Sequence, residues 1–207
     1  MADAAANRTA GSQRLIVGIT GASGVRMGVR LLEVLRPLPV ETHLVLSRAA
    51  GMTLAYETRH SPSDVRGLAD VVHAPSHLGA SIASGSFRTM GMLVVPCSVR
   101  TLSEIAYGQT SSLLTRAADV VLKERRRLVL SVRESPLHVG HLHAMLRVSE
   151  MGGIIAPPVP SYYIRPTTIE EVIDHSVGRL LDLFDIEHGL VRRWGEDMSA
   201  EPIAVRE

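Results

Sequence analysis

Cysteine occurs once, at Cys97, and a single thiol excludes both an internal disulfide framework and a cysteine-rich zinc fold. Aromatic residues make up only 3% of the chain, too few for a series of stacking platforms, which argues against a single-strand nucleic-acid surface. No stretch comes near the ~20 consecutive apolar residues needed to cross a bilayer. Neither sign of charge prevails: 22 basic residues face 21 acidic ones, so no net attraction to nucleic acid or to an anionic membrane is indicated. Lysine is nearly absent too. Of the 22 basic residues 21 are arginine, and the one lysine is Lys123. A compact ammonium is not interchangeable with a planar guanidinium, which singles out that position.

What remains is the balance of an ordinary soluble globule, 45% apolar and 21% charged over 207 residues, a length that suits one α/β domain. Residues 1–13 are small, polar and alanine-rich and lack the apolar centre of a leader, so they read as a disordered extension. Residues 14–194 read as a single domain and residues 195–207 as a tail. With neither leader nor spanning stretch, the expected location is the cytoplasm.

From Arg14 the pattern is regular. Leu15-Ile16-Val17-Gly18-Ile19-Thr20 is the continuous apolar run of a strand buried on both faces, and Gly21-Ala22-Ser23-Gly24 is a small-residue turn. A helix carrying Val29, Leu31, Leu32 and Leu35 follows and stops at Pro37 and Pro39. Glu41–Leu46 reads as a second strand, with Ser47 capping the next helix. Val71-Val72 reads as a short strand, Met90–Pro96 and Leu128–Val132 as stronger ones. Helices are expected over Leu113–Lys123, His141–Glu150 and Thr168–Phe184. Strands alternating with helices and no hairpin signal predict a three-layer α/β fold, Rossmann-like or flavodoxin-like, around a parallel sheet.

Ligands of such sheets bind beyond the carboxyl ends of the strands. The Gly21–Gly24 turn, Ser47, Cys97-Ser98-Val99-Arg100-Thr101 and Arg133-Glu134-Ser135 all fall there. Small or hydroxylated residues with backbone N–H groups at a helix start suit a phosphate, although a plain tight turn would use the same residues. The turn is not Gly-x-Gly-x-x-Gly, so a nicotinamide cofactor has little support. Arg116 and Lys123 lie seven apart on one helix, where they form either a solvated face beside Asp119 and Glu124 or an anion grip. Glu57 and Glu134 are the acid–base candidates. His138, His141 and His143 lack the spacing of a metal site, and Cys97 after a buried strand reads as packing.

Taken in order, Leu15–Gly24, Glu41–Ser47, Pro96–Thr101, Leu114–Arg126, Val132–His138 and Pro157–Tyr163 resemble the UbiX-type flavin prenyltransferases, formerly described as phenylacrylate or polyprenyl-hydroxybenzoate decarboxylase subunits. The resemblance runs from about Arg14 to Trp194. It implies a flavoprotein that joins a dimethylallyl group, from dimethylallyl monophosphate and without a metal, to N5 and C6 of reduced FMN. The prenylated FMN then serves a separate UbiD-type decarboxylase. By the same resemblance, Gly21, Ala22, Ser23, Ser47, Ser98, Val99, Arg100, Thr101 and Arg133 are expected to hold FMN. Arg116, Lys123, Tyr163 and Arg179 are expected on the prenyl phosphate. Ser23, Glu57 and Glu134, with Lys123, are the implied catalytic groups, and Trp194 is the implied lid aromatic. Family sites lie between subunits of a homo-oligomer, usually a dodecamer.

Two departures bear on the prenyl tail: Val25-Arg26-Met27 replaces small and often aromatic residues, and Ser111-Ser112 replaces an acidic or amide pair. Two alternatives share the fold. A flavin-dependent cysteine decarboxylase would carry Pro-Ala-Ser-Ala-Asn-Thr where Pro96-Cys-Ser-Val-Arg-Thr101 stands, and an FMN carrier or chaperone would not need Glu57, Lys123, Glu134, Tyr163 and Arg179 together.

Overall fold

A strand covered on both faces needs apolar residues on both, and β1 (Gln13–Ile19) is buried without alternation from Leu15 to Ile19. The computed structural model describes residues 13–196, so the expected extension and tail lie almost wholly outside the described residues. After β1 come α1 (Val25–Leu35), β2 (Val40–Leu46), α2 (Arg48–Glu57), the short α3 (Pro62–Arg66) and β3 (Val71–His73). Then follow β4 (Gly91–Cys97), α4 (Val99–Ala106), α5 (Leu113–Lys123), β5 (Arg127–Val132), α6 (Val139–Glu150), β6 (Ile154–Ile155) and α7 (Ile169–Asp182). The described residues form two compact units, one ending at Pro158 and the other starting at Val159. The first holds the whole sheet and the second holds α7.

Every strand pairing is parallel, and the order is β3-β2-β1-β4-β5-β6. The chain therefore winds outward in both directions from the β1–β4 pair. Right-handed crossovers then place α1 and α2 on one face and α4, α5 and α6 on the other. The α5 side is a continuous core in which Ile16, Met92, Val94 and Leu130 meet Leu102, Leu114, Ala117 and Val121. Emptying such a position, as in Leu114→Ala, typically costs 2–5 kcal/mol, about a third of the stability of an ordinary domain.

Three elements depart from the pattern reading. α4 is a helix of its own, started by Ser98, whose Oγ accepts from Thr101 N. Its buried apolar residues, Leu102, Ile105 and Ala106, are too few to show a period in sequence. Ile154-Ile155 forms an edge strand against Val129 and Leu130. α6 starts at Val139, two residues early, because His138 Nδ1 accepts from Gly140 N as its cap.

On the β2–β3 side, the buried His43 places Nε2 2.8 Å from Glu41 Oε1 and Nδ1 3.0 Å from His73 Nε2. Glu41 also accepts from Arg14 Nε at 3.3 Å. The carboxylate can only accept, so His43 Nε2–H donates to it and His43 Nδ1 accepts from His73. Burial lowers the pKa of both imidazoles, and for His43 it outweighs the raising influence of Glu41.

Candidate active site

The point where the winding reverses, between the carboxyl ends of β1 and β4, is where an open α/β sheet leaves a crevice. Here the two strand ends are tied by Thr20, a residue the sequence does not flag. Its buried hydroxyl donates to Pro96 O at 2.7 Å and accepts from Ser98 N at 2.9 Å. That pin fixes the Gly21–Gly24 turn against the Ser98–Thr101 turn. Ser47 joins through backbone, its N–H donating to Ile19 O at 3.0 Å, and Arg133 N donates to Cys97 O at 3.0 Å. The expected flavin residues of β1, β2, β4 and β5 are thus brought to one edge of the sheet.

The turn after β1 must be built from small residues. Gly24, at φ +91°, is in the left-handed region where a side chain is strained, and a Cβ on Gly21 would sit 2.5 Å from Ala49 Cβ. Thr53 Oγ1 donates to Gly21 O at 3.0 Å, a second support that the sequence does not single out. Ser23 is exposed at the tip.

Glu57 closes the turn from α2. Its Oε2 accepts from Gly24 N at 2.8 Å and Val25 N at 3.1 Å, so a carboxylate sits on the amino end of α1. Both N–H groups being engaged, the first turn of α4 is the better place for a phosphate. There the Ser98 hydroxyl donates to Thr101 Oγ1 at 3.1 Å, which leaves the Thr101 proton to donate outward beside the Val99 and Arg100 N–H groups. Ser47 Oγ accepts from Ala50 N at 3.1 Å and likewise keeps its own proton. A set of hydroxyls, helix-end N–H groups and the exposed Arg133 fits the phosphate and polar tail of FMN. The Arg100 side chain pairs with Glu104, Nε to Oε1 2.9 Å, so what Arg100 has left to offer a ligand at this turn is its backbone N–H. Glu134 is exposed and accepts from Ser135 N.

Arg116 and Lys123 occupy opposite ends of α5. Arg116, in the first turn, pairs with Asp119 at 2.7 Å on the carboxyl side of the sheet, near where Leu113 N meets Pro75 O. Lys123, in the last turn, contacts Glu124 just before β5 begins, at the amino edge. Seven residues of helix put about 10 Å between them, and one chain does not bring Lys123 to the crevice.

In the second unit, Tyr163, Arg179 and Trp194 are held by a local network. Tyr163 packs edge-to-face on Trp194, with centroids 5.5 Å apart, and on His175, 5.8 Å apart. Asp182 accepts from Arg179 at 2.7 Å, Arg193 at 2.9 Å and His188 at 3.1 Å. Burial pushes the Asp182 carboxyl up, but the hydrogen bonds from Arg193, His188 and Arg179 outweigh it and hold its pKa below the usual value. The i, i+3 spacing to Arg179 is the signal by which Asp182 could have been found.

Cys97 is fully buried and burial drives its thiol pKa far upward, as a packing residue requires. Among the described residues no group of three or more His, Cys, Asp or Glu side chains could hold a metal, and no helix is long and apolar enough to cross a membrane. His138 and His141 stack on each other at 3.6 Å.

Comparison with known proteins bears on the family and the fold. Residues 3–194 match the family described as Flavoprotein. The chain is 56% identical over 185 residues to the flavin prenyltransferase UbiX of Salmonella typhimurium, covering 88% of this chain and 98% of that one. Among solved structures, AnUbiX (PadA1) in complex with FMN and dimethylallyl pyrophosphate superposes with a TM-score of 0.88 at 52% identity, over 89% of this chain and 98% of that one. A dodecameric FMN-dependent Ubix-like decarboxylase from Escherichia coli O157:H7 gives 0.87 at 51% identity, over 88% and 99%. A flavin crevice at the switch point and this degree of likeness lead to one assignment: the chain belongs to the flavoprotein family and, within it, to the UbiX flavin prenyltransferases.

Proposed function

We propose that this chain transfers a dimethylallyl group from dimethylallyl monophosphate to N5 and C6 of reduced FMN, and that a UbiD-type decarboxylase receives the prenylated FMN. The observation that carries the reading is the convergence of Ser23, Glu57, Ser47, Ser98, Thr101, Arg133 and Glu134 at the carboxyl edge of the sheet, on a chain 56% identical to a flavin prenyltransferase. When bound, the flavin supplies the nucleophilic positions. Gly21–Ser23, Ser47, Ser98–Thr101 and Arg133 hold it. Glu57 is oriented by the Gly24 and Val25 N–H groups, one oxygen fixed and the other left to take a proton beside Ser23. Glu134, at the end of β5, handles the proton on the phosphate side.

An allylic phosphate ionises more readily when its leaving group is neutralised by fixed donors. Arg116, Lys123 and Arg179 provide the charge and the Tyr163 hydroxyl a hydrogen bond, and such a clamp makes a metal unnecessary. Because Lys123 stands at the far end of α5 from Arg116, the clamp needs the lysine of another copy. A stripe on α6 supports such an assembly: Val139, Leu142 and Leu146 are exposed at helical spacing, and Leu137 just precedes them. A dodecamer is the assembly we propose.

The test is anaerobic incubation with reduced FMN and dimethylallyl monophosphate, followed by mass spectrometry of the released flavin. A five-carbon gain is expected. A gain with dimethylallyl pyrophosphate alone would correct the donor. Unmodified flavin with every donor, binding being verified, would refute the transferase reading in favour of an FMN carrier.

A further inference from the structure

His175 is a buried polar side chain packed against Tyr163. It is only 4% exposed, it lies on α7 one turn before Arg179, and its Nε2 is 3.3 Å from the Tyr163 hydroxyl. Tyr163 itself is 40% exposed, so its outer side is open to a ligand while its ring is gripped by His175 and Trp194. Burial and then the Arg179 cation lower the imidazole pKa, against the pull of Asp182, which favours a neutral ring.

A neutral imidazole facing a phenol can do one of two things. If its nitrogen accepts, it takes the only hydroxyl proton, and the tyrosine shows lone pairs to its surroundings. If its nitrogen carries the hydrogen, it fills one oxygen lone pair, and the O–H is free to point outward as a donor. A phosphate has only acceptor oxygens at its contact surface, so it selects the second arrangement.

We infer that His175 is a positioning residue that turns the Tyr163 hydroxyl outward as a donor to the phosphate of the prenyl substrate. The inference rests on the reading of Tyr163 as a phosphate ligand. His175 does not touch the substrate; it acts through one oxygen. Glutamine at this position offers an N–H donor at comparable reach, phenylalanine keeps the edge-to-face ring contact without a donor, and asparagine carries a donor too short to reach.

The experiment is steady-state prenyl transfer by the intact oligomer, with dimethylallyl monophosphate varied and reduced FMN saturating. His175→Phe, His175→Gln, Tyr163→Phe and the double Phe variant are compared, and FMN affinity is measured for each. In His175→Phe the KM for the donor is expected to rise about tenfold, the loss of roughly one oriented hydrogen bond, with FMN affinity unchanged and kcat within about threefold. His175→Gln should recover wild-type KM within about twofold, and the double variant should be no worse than Tyr163→Phe. If His175→Phe does not load FMN, His175→Asn replaces it with the same expected rise. Additive losses in the double variant, equal impairment by Gln and Phe, or a wild-type KM in His175→Phe would each overturn the inference. A wild-type KM in Tyr163→Phe would instead remove the reading beneath it.

Discussion

Replacing Glu57 by glutamine separates a structural cap from a proton-handling group. In the wild type one carboxylate oxygen accepts two backbone N–H bonds at the start of α1. Glutamine keeps a carbonyl oxygen in that place, so both bonds can persist, and what is lost is a negative charge at a helix amino end. At an exposed position that charge contributes about 0.3–1 kcal/mol. For a chain of this size the melting temperature should then fall by no more than about 2–4 °C. Glu57→Ala removes the acceptor as well, and by analogy with lost caps should cost ~1–2 kcal/mol. Prenyl transfer should behave differently, because an amide cannot take a proton at neutral pH. Loss of a positioned acid–base group typically costs 10²–10⁴ in rate, so Glu57→Gln and Glu57→Ala should be nearly equally inactive despite unequal stability. The assay is anaerobic single turnover with mass detection of the flavin, beside differential scanning fluorimetry of the same samples. Transfer by Glu57→Gln within about threefold of wild type would refute the catalytic role and leave Glu57 as a helix cap.

Three other outcomes are expected. Lys123→Ala should abolish transfer while FMN stays bound, and in mixed oligomers with Arg116→Ala some activity should return, since a neighbour would supply each missing cation; normal turnover of Lys123→Ala alone would remove it from the clamp. Leu146→Asp, on the exposed stripe of α6, should shift the protein to smaller species in size-exclusion chromatography, and an unchanged elution would clear that face of a role in assembly. The His43–His73 pair should make stability fall as pH drops below about 6.5, because the unfolded imidazoles take up protons that the folded ones resist. Arg14, Glu41, Asp70 and His77 are the charged or titratable neighbours of that pair, and His43→Gln should flatten the melting temperature between pH 7 and 5.

The residues that were legible in sequence are those whose role depends on neighbours along the chain. Leu15–Gly24 reads as strand and turn because burial on both faces leaves an unbroken apolar run and a tight turn leaves glycines. Lys123 stood out because lysine is so rare here, yet no sequence pattern says which end of a sheet a helix terminus reaches. Thr20 could not be found, since its value lies in Pro96 and Ser98, which are more than 70 positions away. His175 is hidden for a related reason, since a polar residue on an amphipathic helix shows its partner in a neighbouring segment only when the helix is packed, whereas Asp182 was within reach through its i, i+3 spacing to Arg179. α4 escaped because eight residues with only three buried apolar positions give no countable period.

The scarcity of lysine also makes Lys123 a chemical address. Each chain carries a single ε-amine, and its side chain is 48% accessible at the end of α5. An amine-directed reagent has one side-chain target per subunit besides the α-amino group. In the assembly proposed above that amine belongs to a neighbour's clamp, so a fluorophore or crosslinker placed there would report distances between copies from one defined point and would block prenyl transfer as well.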